Sequence, residues 1–282
     1  MSKEGCAMKL DELLTIVIPV KNEEKNLPEC LEKVKDFSHV VIVDSGSTDA
    51  TCEIAARYGR EVVQFVWNGQ FPKKRNWLLR NYMFKTPWVL FLDADERISE
   101  AQIQELEEML PTTKHDAFIM YMDNWFMGRV LRHGDSPRKT NMLRLGTGEY
   151  ERIEERNWSK MDMEVNEHLI VKGTVGTLKN HLEHYDKRLL TSYFAKHNEY
   201  SSWEAHRFLE LKDYSQQTWR QKIKYRLIYK NRFFPLLYFF VSYFLKGGFL
   251  DGKAGFYFTV NRLFYFYQIQ EKIRLLKMGL EA

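Results

Sequence analysis

Apolar and polar positions alternate between two regimes along this chain. The first half carries short apolar runs separated by segments of helical spacing. LLTIVIPV (13–20), HVVIVD (39–44), EVVQFV (61–66) and WVLFLD (88–93) read as strands. They are β-branched and apolar without alternation, the pattern of strands buried on both faces of a parallel sheet. Between them, Asn22–Phe37 places Leu27, Leu31 and Val34 at helical spacing. Residues 46–59 read as a turn and then a helix, with Ser47 or Thr48 as N-cap and Gly59 just past its end. Lys73–Phe84 predicts a third helix, and Ser99 caps a fourth that runs to Leu110 before Pro111. The order β-α-β-α-β-α-β predicts a Rossmann-like α/β fold, a mostly parallel central sheet with helices on both faces.

After Pro111 the pattern loosens. AFIMYMDNWF (117–126) predicts a strand, and the polar stretch 127–160 predicts long loops. VNEHLIV and TVGTLKNHLEH predict a short pair of strands around Gly173. From Lys187 the chain reads as helical, aromatic and basic. A division into 1–186, an α/β domain, and 187–282, a helical C-terminal region, is expected.

Charge sharpens that division. Net charge is +4, yet residues 211–282 hold 13 Lys/Arg against 4 Asp/Glu, leaving 29 against 34 elsewhere. The apolar run Phe233–Leu245 has 13 residues between Arg232 and Lys246, short of the roughly 20 that span a bilayer. An apolar face bordered by cations reads as an in-plane membrane segment; a helical cap with its aromatics turned inward is the alternative. Nucleic acid is not expected as a partner, because no RNA or DNA module accompanies the tail. MSKEGCAMKLDELL lacks the apolar core of a signal peptide. Cys6, Cys30 and Cys52 lack metal-ligand spacing and read as reduced thiols of a cytosolic protein.

Ligands of open parallel sheets gather beyond the carboxyl ends of the strands. VKNEE, DSGSTD and DADE end three of the predicted strands. Asp93 and Asp95, two apart in extended chain, lie on one side and can share a hard cation with substrate phosphates; a solvated turn explains the same acids. Glu96 points elsewhere and reads as structural, paired with Arg97 or a helix-start charge. Asp44 before the small-residue turn suits a ribose hydroxyl or a base N–H, or simply holds the turn while Asp49 answers the helix dipole. Lys74 or Arg75 can neutralise phosphate. Neither a Gly-Lys-Ser/Thr loop nor a G-x-G-x-x-G turn is present.

TIVIPVKNEEKNL, VVIVDSGSTDAT, KKRNWLL and WVLFLDADERI, in this order and spacing, resemble a family-2 glycosyltransferase of the GT-A fold. GRVLRHGDSPRKTNMLRL, VNEHLIVKGTVGTLKNHLEHYD, NEYSSWEA and YFLKGGFLDGKAGFYF resemble the subgroup that elongates lipopolysaccharide core, including its β-glucosyltransferases. The resemblance covers residues 13–267. It implies that Pro19 and Glu23 line the base and ribose, that Asp44 contacts the base, and that Arg75 sits near base or diphosphate. Asp93 and Asp95 match the D-x-D motif, Asp95 as direct ligand of Mg²⁺ or Mn²⁺, and His184 or His181 matches a C-terminal histidine on the metal or diphosphate. Glu167 matches the carboxylate that activates the acceptor; Glu164 and Asp162 are alternatives, and a structural pairing of Glu167 with Lys172 or His168 is another reading.

The family's GGW-x-P type stretch is replaced here by HGDSPRK, which puts the acceptor pocket in question. There His133, Arg132 and Arg138 bind an acidic acceptor or form a solvated loop. The implied reaction is metal-dependent, inverting transfer of a hexose, glucose favoured, from UDP-glucose to a lipid-linked saccharide. The implied location is peripheral, on the cytoplasmic face of the inner membrane. A sugar nucleotidyltransferase is disfavoured because VKNEEKN carries no glycine; a non-catalytic membrane or polysaccharide adaptor is the other alternative.

Overall fold

The computed structural model describes residues 9–152, 161–163, 168–187, 190–210, 222–223, 227 and 231–280. The chain forms two compact units, Met1–Asn124 with Pro137–Lys187, and Trp125–Ser136 with Arg188–Ala282.

The first unit opens with the turn-length helix α1 (Leu10–Leu13) and strand β1 (Leu14–Val20). Then follow α2 (Leu27–Lys33), β2 (Val40–Asp44), α3 (Thr51–Arg57), β3 (Glu61–Gln64), α4 (Lys74–Asn81), β4 (Trp88–Phe91), β5 (Glu96–Arg97) and α5 (Glu100–Met109). The strand β6 (Ala117–Phe126) continues into the second unit, where it pairs with β7 (Arg129–Val130). The chain returns through β8 (Arg138–Arg144), β9 (Gly148–Tyr150), β10 (Leu169–Val171), β11 (Val175–Thr177) and β12 (Leu182–His184). The sheet order is β3-β2-β1-β4-β8-β6-β12-β5. The first four strands are parallel, as predicted, and burial on both faces holds for β1, β2 and β4, whereas β3 lies at the sheet edge with Glu61 and Gln64 exposed.

Alternate residues of these strands feed two cores. Ile16, Ile18, Val40, Ile42 and Leu90 pack with Leu27 and Leu31 of α2, Ile54 of α3 and Leu106 of α5. Val17, Val41, Val43, Val89 and Phe91 pack on the other face with Leu78 of α4 and Tyr150. A strand apolar at every position therefore has a use for both of its faces.

Four expectations are corrected. The helix within 22–37 begins only at Leu27, because Asn22 is left-handed at φ 57° and Pro28 occupies the first turn, where proline fits. Neither Ser47 nor Thr48 caps α3. Ser47 Oγ accepts from Asn22 N, and Thr48 N donates to Asn22 Oδ1, so both tie the first two strand-end loops together. The stretch read as long loops contains β8, a central strand between β4 and β6. Finally, no hairpin forms at Gly173. β10 pairs with β9, while β11 joins β6 in parallel. At Gly173 the backbone runs so close to Asp116 that a Cβ would lie 2.1 Å from its carboxylate. Ser99 caps α5 as expected, accepting from Gln102 N at 3.2 Å within a capping box.

The second unit is built by α6 (Leu190–Glu210), α7 (Phe234–Phe240), a π-helical turn Val241–Leu245, a 3-10 turn Gly248–Asp251, and α8 (Gly252–Lys277). Its core holds Ala205, Tyr265, Phe266, Ile269 and Ile273. The 129–136 loop is pinned there: Asp251 accepts from the Arg132 and His133 amides, and Asp135 accepts from Tyr238 Oη at 2.6 Å and pairs with Lys246.

Candidate active site

The carboxyl ends of β1, β2 and β4 carry the predicted motifs. Behind β1, Glu23 N donates to Thr51 Oγ1 at 2.8 Å, and the Glu23 carboxylate accepts from Asn26 Nδ2 at 2.9 Å. Pro19 lies within β1 opposite Val43. At the end of β2, Asp44 is buried and accepts from Gly46 N, Ser47 N and Ser47 Oγ. Burial opposes its ionisation, yet these donors hold the carboxyl below its usual range. Gly46, at φ 76°, turns the chain back so that its own amide meets Asp44.

The start of α4 delivers two buried cations. Lys74 Nζ donates to the Val20 carbonyl at 2.9 Å and lies 3.5 Å from Asp162. Burial depresses its pKa. Asp162 is thereby engaged with Lys74, which bears on its candidacy as a base. Arg75 points to Asp93, Nη2 to Oδ1 at 2.6 Å, with its guanidinium near the rings of Phe91 and Tyr150.

Asp93 and Asp95 meet different partners. Asp93 has Arg75 on Oδ1 and Lys139 on Oδ2 at 2.7 Å. Burial disfavours its charge, but Lys139 and Arg75 together lower its pKa. Lys139 comes from β8 and also reaches Glu96 Oε1 at 2.7 Å. Burial disfavours the ammonium, and Asp93 and Glu96 more than restore it. Glu96, with its side chain 2% exposed, is structural: its other oxygen accepts the Asp93 amide at 3.0 Å. Its partner is Lys139 rather than Arg97. Arg97 instead donates to Glu29, to the Asp95 carbonyl and to the Tyr185 carbonyl.

Asp95 faces His184, with Oδ2 3.7 Å from Nε2. The strand pair β5–β12 sets this approach, placing His184 opposite Glu96, while Tyr185 N donates to the Asp95 carbonyl at 2.9 Å. Burial works against the imidazolium, and Asp95 outweighs it, raising the pKa of His184 to about 9. His184 Nδ1 lies 3.1 Å from Asn124 Oδ1. As a donor there it turns Nε2 toward Asp95, the second-partner arrangement typical of metal-ligating histidines. His181 instead pairs with Asp123 at 2.7 Å and stacks on Tyr121. Among the described residues no three acidic, histidine or cysteine side chains converge as a metal cluster. Among the described residues, one carboxylate and one imidazole are the donors a divalent cation would meet here, and substrate oxygens and water would complete its shell.

Glu167 and Glu164 lie outside the described residues. His133 sits on Asp251 in the second unit, and Arg138 on the Tyr121 hydroxyl in the first. Sequence reasoning missed Lys139, whose position in PRKTN looked like loop chemistry. The available signal was β8 itself: Lys139 and Asn141 lie two apart on a strand, and Asn141 donates to the Phe91 carbonyl at the end of β4.

The family model for glycosyl transferase family 2 matches residues 15–166, more than half the chain and all four N-terminal strand motifs. The chain belongs to glycosyl transferase family 2. It is therefore a glycosyltransferase, which removes the nucleotidyltransferase and adaptor alternatives. A lipopolysaccharide core biosynthesis glycosyltransferase, LpsC of Rhizobium meliloti, is 27% identical over 92% of this chain and 91% of its own length. An uncharacterized glycosyltransferase of Rickettsia felis is 25% identical over 87% of this chain and 83% of its own. Among solved structures, S. aureus TarS 1–349 in complex with UDP-GlcNAc superposes with a TM-score of 0.52 at 17% identity, covering 97% of this chain and 93% of that one. At that identity the likeness speaks for the GT-A-type fold. No described helix is long and apolar enough to cross a membrane.

Proposed function

We propose that this family 2 enzyme transfers a hexose, glucose favoured, from a UDP-sugar to a lipid-linked oligosaccharide of the lipopolysaccharide-core type. Transfer proceeds with inversion and depends on Mg²⁺ or Mn²⁺. The observation that carries the reading is the pairing of Asp95 with His184 beside the Arg75–Asp93–Lys139 cluster, at the strand ends where such sheets bind ligands. The relative named for lipopolysaccharide core biosynthesis, matched along nearly its whole length, supports the acceptor class.

In this reading Pro19, Glu23 and Asp44 line the nucleoside. The Asp44 turn is held rigid by its own amide bonds, so the pocket wall needs little ordering on binding. Arg75 and Lys139 present positive charge to the diphosphate. Asp95 and His184 hold the divalent cation, which when bound supplies Lewis-acid stabilisation of the departing nucleotide. Glu167 takes the acceptor proton as general base, and no covalent enzyme intermediate is needed.

The second unit suits an enzyme whose acceptor is embedded in lipid. Leu236, Leu237 and Phe240 of α7, Phe244 and Leu245 of the π-helical turn, and Leu250 beyond it are exposed, with Arg232, Lys246 and Lys253 nearby in sequence. This surface would rest in the plane of the cytoplasmic face of the inner membrane. The enzymatic reading is tested by titrating UDP and UDP-glucose in the presence of Mn²⁺ and following glucosyl transfer to a purified lipopolysaccharide-core acceptor. Asp95→Asn should abolish metal-linked nucleotide binding and turnover. Full binding and transfer by Asp95→Asn would refute the site.

A further inference from the structure

Asp93 is an unusual member of a metal-binding pair, because each of its carboxylate oxygens is already in contact with a protein cation. Arg75 is 2.6 Å from one and Lys139 is 2.7 Å from the other. Lys139 is anchored a second time by Glu96 at 2.7 Å, and only 23% of its side chain is exposed. Among the described residues, two acids are thus matched by two cations, and both Asp93 oxygens are engaged without a metal ion. Asp95 and His184 form a two-donor site next to it.

Among the described residues, a divalent ion arriving alone would meet only the Asp95–His184 pair, with the fixed positive charges of Arg75 and Lys139 close by. Like charges at such range in a partly buried site repel strongly. A nucleoside diphosphate changes the balance, because it brings two or more negative charges that Arg75 and Lys139 can face while supplying the oxygens the metal lacks.

We infer that Lys139 is a place-holding cation: it occupies the first carboxylate of the D-x-D pair and makes metal binding conditional on the nucleotide. In this scheme Lys139 is a binding residue that changes partner, from Asp93 in the free protein to the diphosphate in the complex. It sets the order and coupling of ligand binding, with no role in proton transfer. The inference rests on the metal-dependent reading above and deepens it by assigning the source of metal–nucleotide coupling. Glu96, buried and accepting from Lys139 at 2.7 Å, keeps the ammonium at the site when Asp93 is released.

Coupling between two ligands is reciprocal, so the factor by which UDP raises Mn²⁺ affinity equals the factor by which Mn²⁺ raises UDP affinity. The full chain is titrated with Mn²⁺ by electron paramagnetic resonance, with and without saturating UDP. The wild-type protein should bind Mn²⁺ weakly alone and at least about thirtyfold more tightly with UDP, within the usual range of coupling factors. Lys139→Gln should strengthen Mn²⁺ binding without UDP by about tenfold and reduce the coupling factor by about tenfold, while Lys139→Arg keeps it. Lys139→Met offers a second neutral side chain of similar length, and thermal melting confirms that each variant is folded. A purely structural lysine would shift melting temperature and both affinities together, leaving the coupling factor alone.

A coupling factor within about threefold of wild type in a folded neutral variant would overturn the inference while the metal-dependent reading stands. So would a wild-type protein that binds Mn²⁺ equally well with and without UDP, an outcome that needs no variant. No binding of Mn²⁺ with UDP at all would overturn both.

Discussion

Arg97 holds the two ends of the Asp95–His184 pair together, and its replacement by methionine should loosen both fold and site. Its side chain is 5% exposed. Nη1 donates to the carbonyls of Asp95 at 3.2 Å and Tyr185 at 3.1 Å, the residues flanking the β5–β12 contact on either strand. Nε and Nη2 donate to Glu29 Oε2 at 3.0 and 2.7 Å. The guanidinium carbon also lies 5.5 Å from the Tyr185 ring centroid. Glu29 is 47% exposed and keeps Lys187 as a partner, so solvent screens that half of the interaction to about 1 kcal/mol. The buried half leaves two carbonyls without their charged donor, costing about 2 kcal/mol.

A total of about 3 kcal/mol corresponds to a fall of roughly 9 °C in melting temperature for a unit of this size. The same loss frees the Asp95 backbone against Tyr185, so Mn²⁺-linked UDP affinity should drop by about tenfold, the usual cost of removing an outer partner of a metal ligand. Differential scanning fluorimetry and calorimetric titration measure the two effects. Arg97→Lys keeps the charge but not the fork and should fall between the two. A melting temperature within about 2 °C of wild type, with unchanged UDP affinity, would show that Arg97 does not carry this contact.

Two further outcomes follow from the same geometry. Because one proposed ligand is an imidazole nitrogen, Mn²⁺ should support UDP binding better than Mg²⁺, and His184→Ala should erase that preference; equal support by both ions in the wild type would count against His184 as a ligand. On the second unit, Leu245 and Leu250 are 70% and 58% exposed, so Leu245→Asp with Leu250→Asp should weaken co-sedimentation with anionic liposomes by roughly a hundredfold, from about 1.5 kcal/mol lost at each site. Unchanged co-sedimentation of a folded double variant would dismiss this surface as the membrane face.

The apolar runs of the first half by themselves determined the parallel strands β2-β1-β4 and the two faces that cover them, because a strand apolar at every position is stable only when buried twice; β3, with Glu61 and Gln64 exposed, joins them at the sheet edge. The runs also pointed to where the candidate residues gather: charged and small residues that interrupt such runs fall at strand ends, and parallel strands bring those ends to one edge. Sequence motifs were enough to name Asp44, Arg75, Asp93 and Asp95 as candidates, and to favour His184 with His181 as the alternative.

Only tertiary structure decided their partners. β8 looked like a loop because Arg138, Lys139, Thr140 and Asn141 are polar; its place between β4 and β6 depends on pairing across dozens of residues, which no local period encodes. The same pairing brings Lys139 onto Asp93 and Glu96. The β5–β12 register selects His184 over His181 as the neighbour of Asp95. Polar side chains carry no periodic signature of their own, so their long-range partners emerge only when the sheet closes around them.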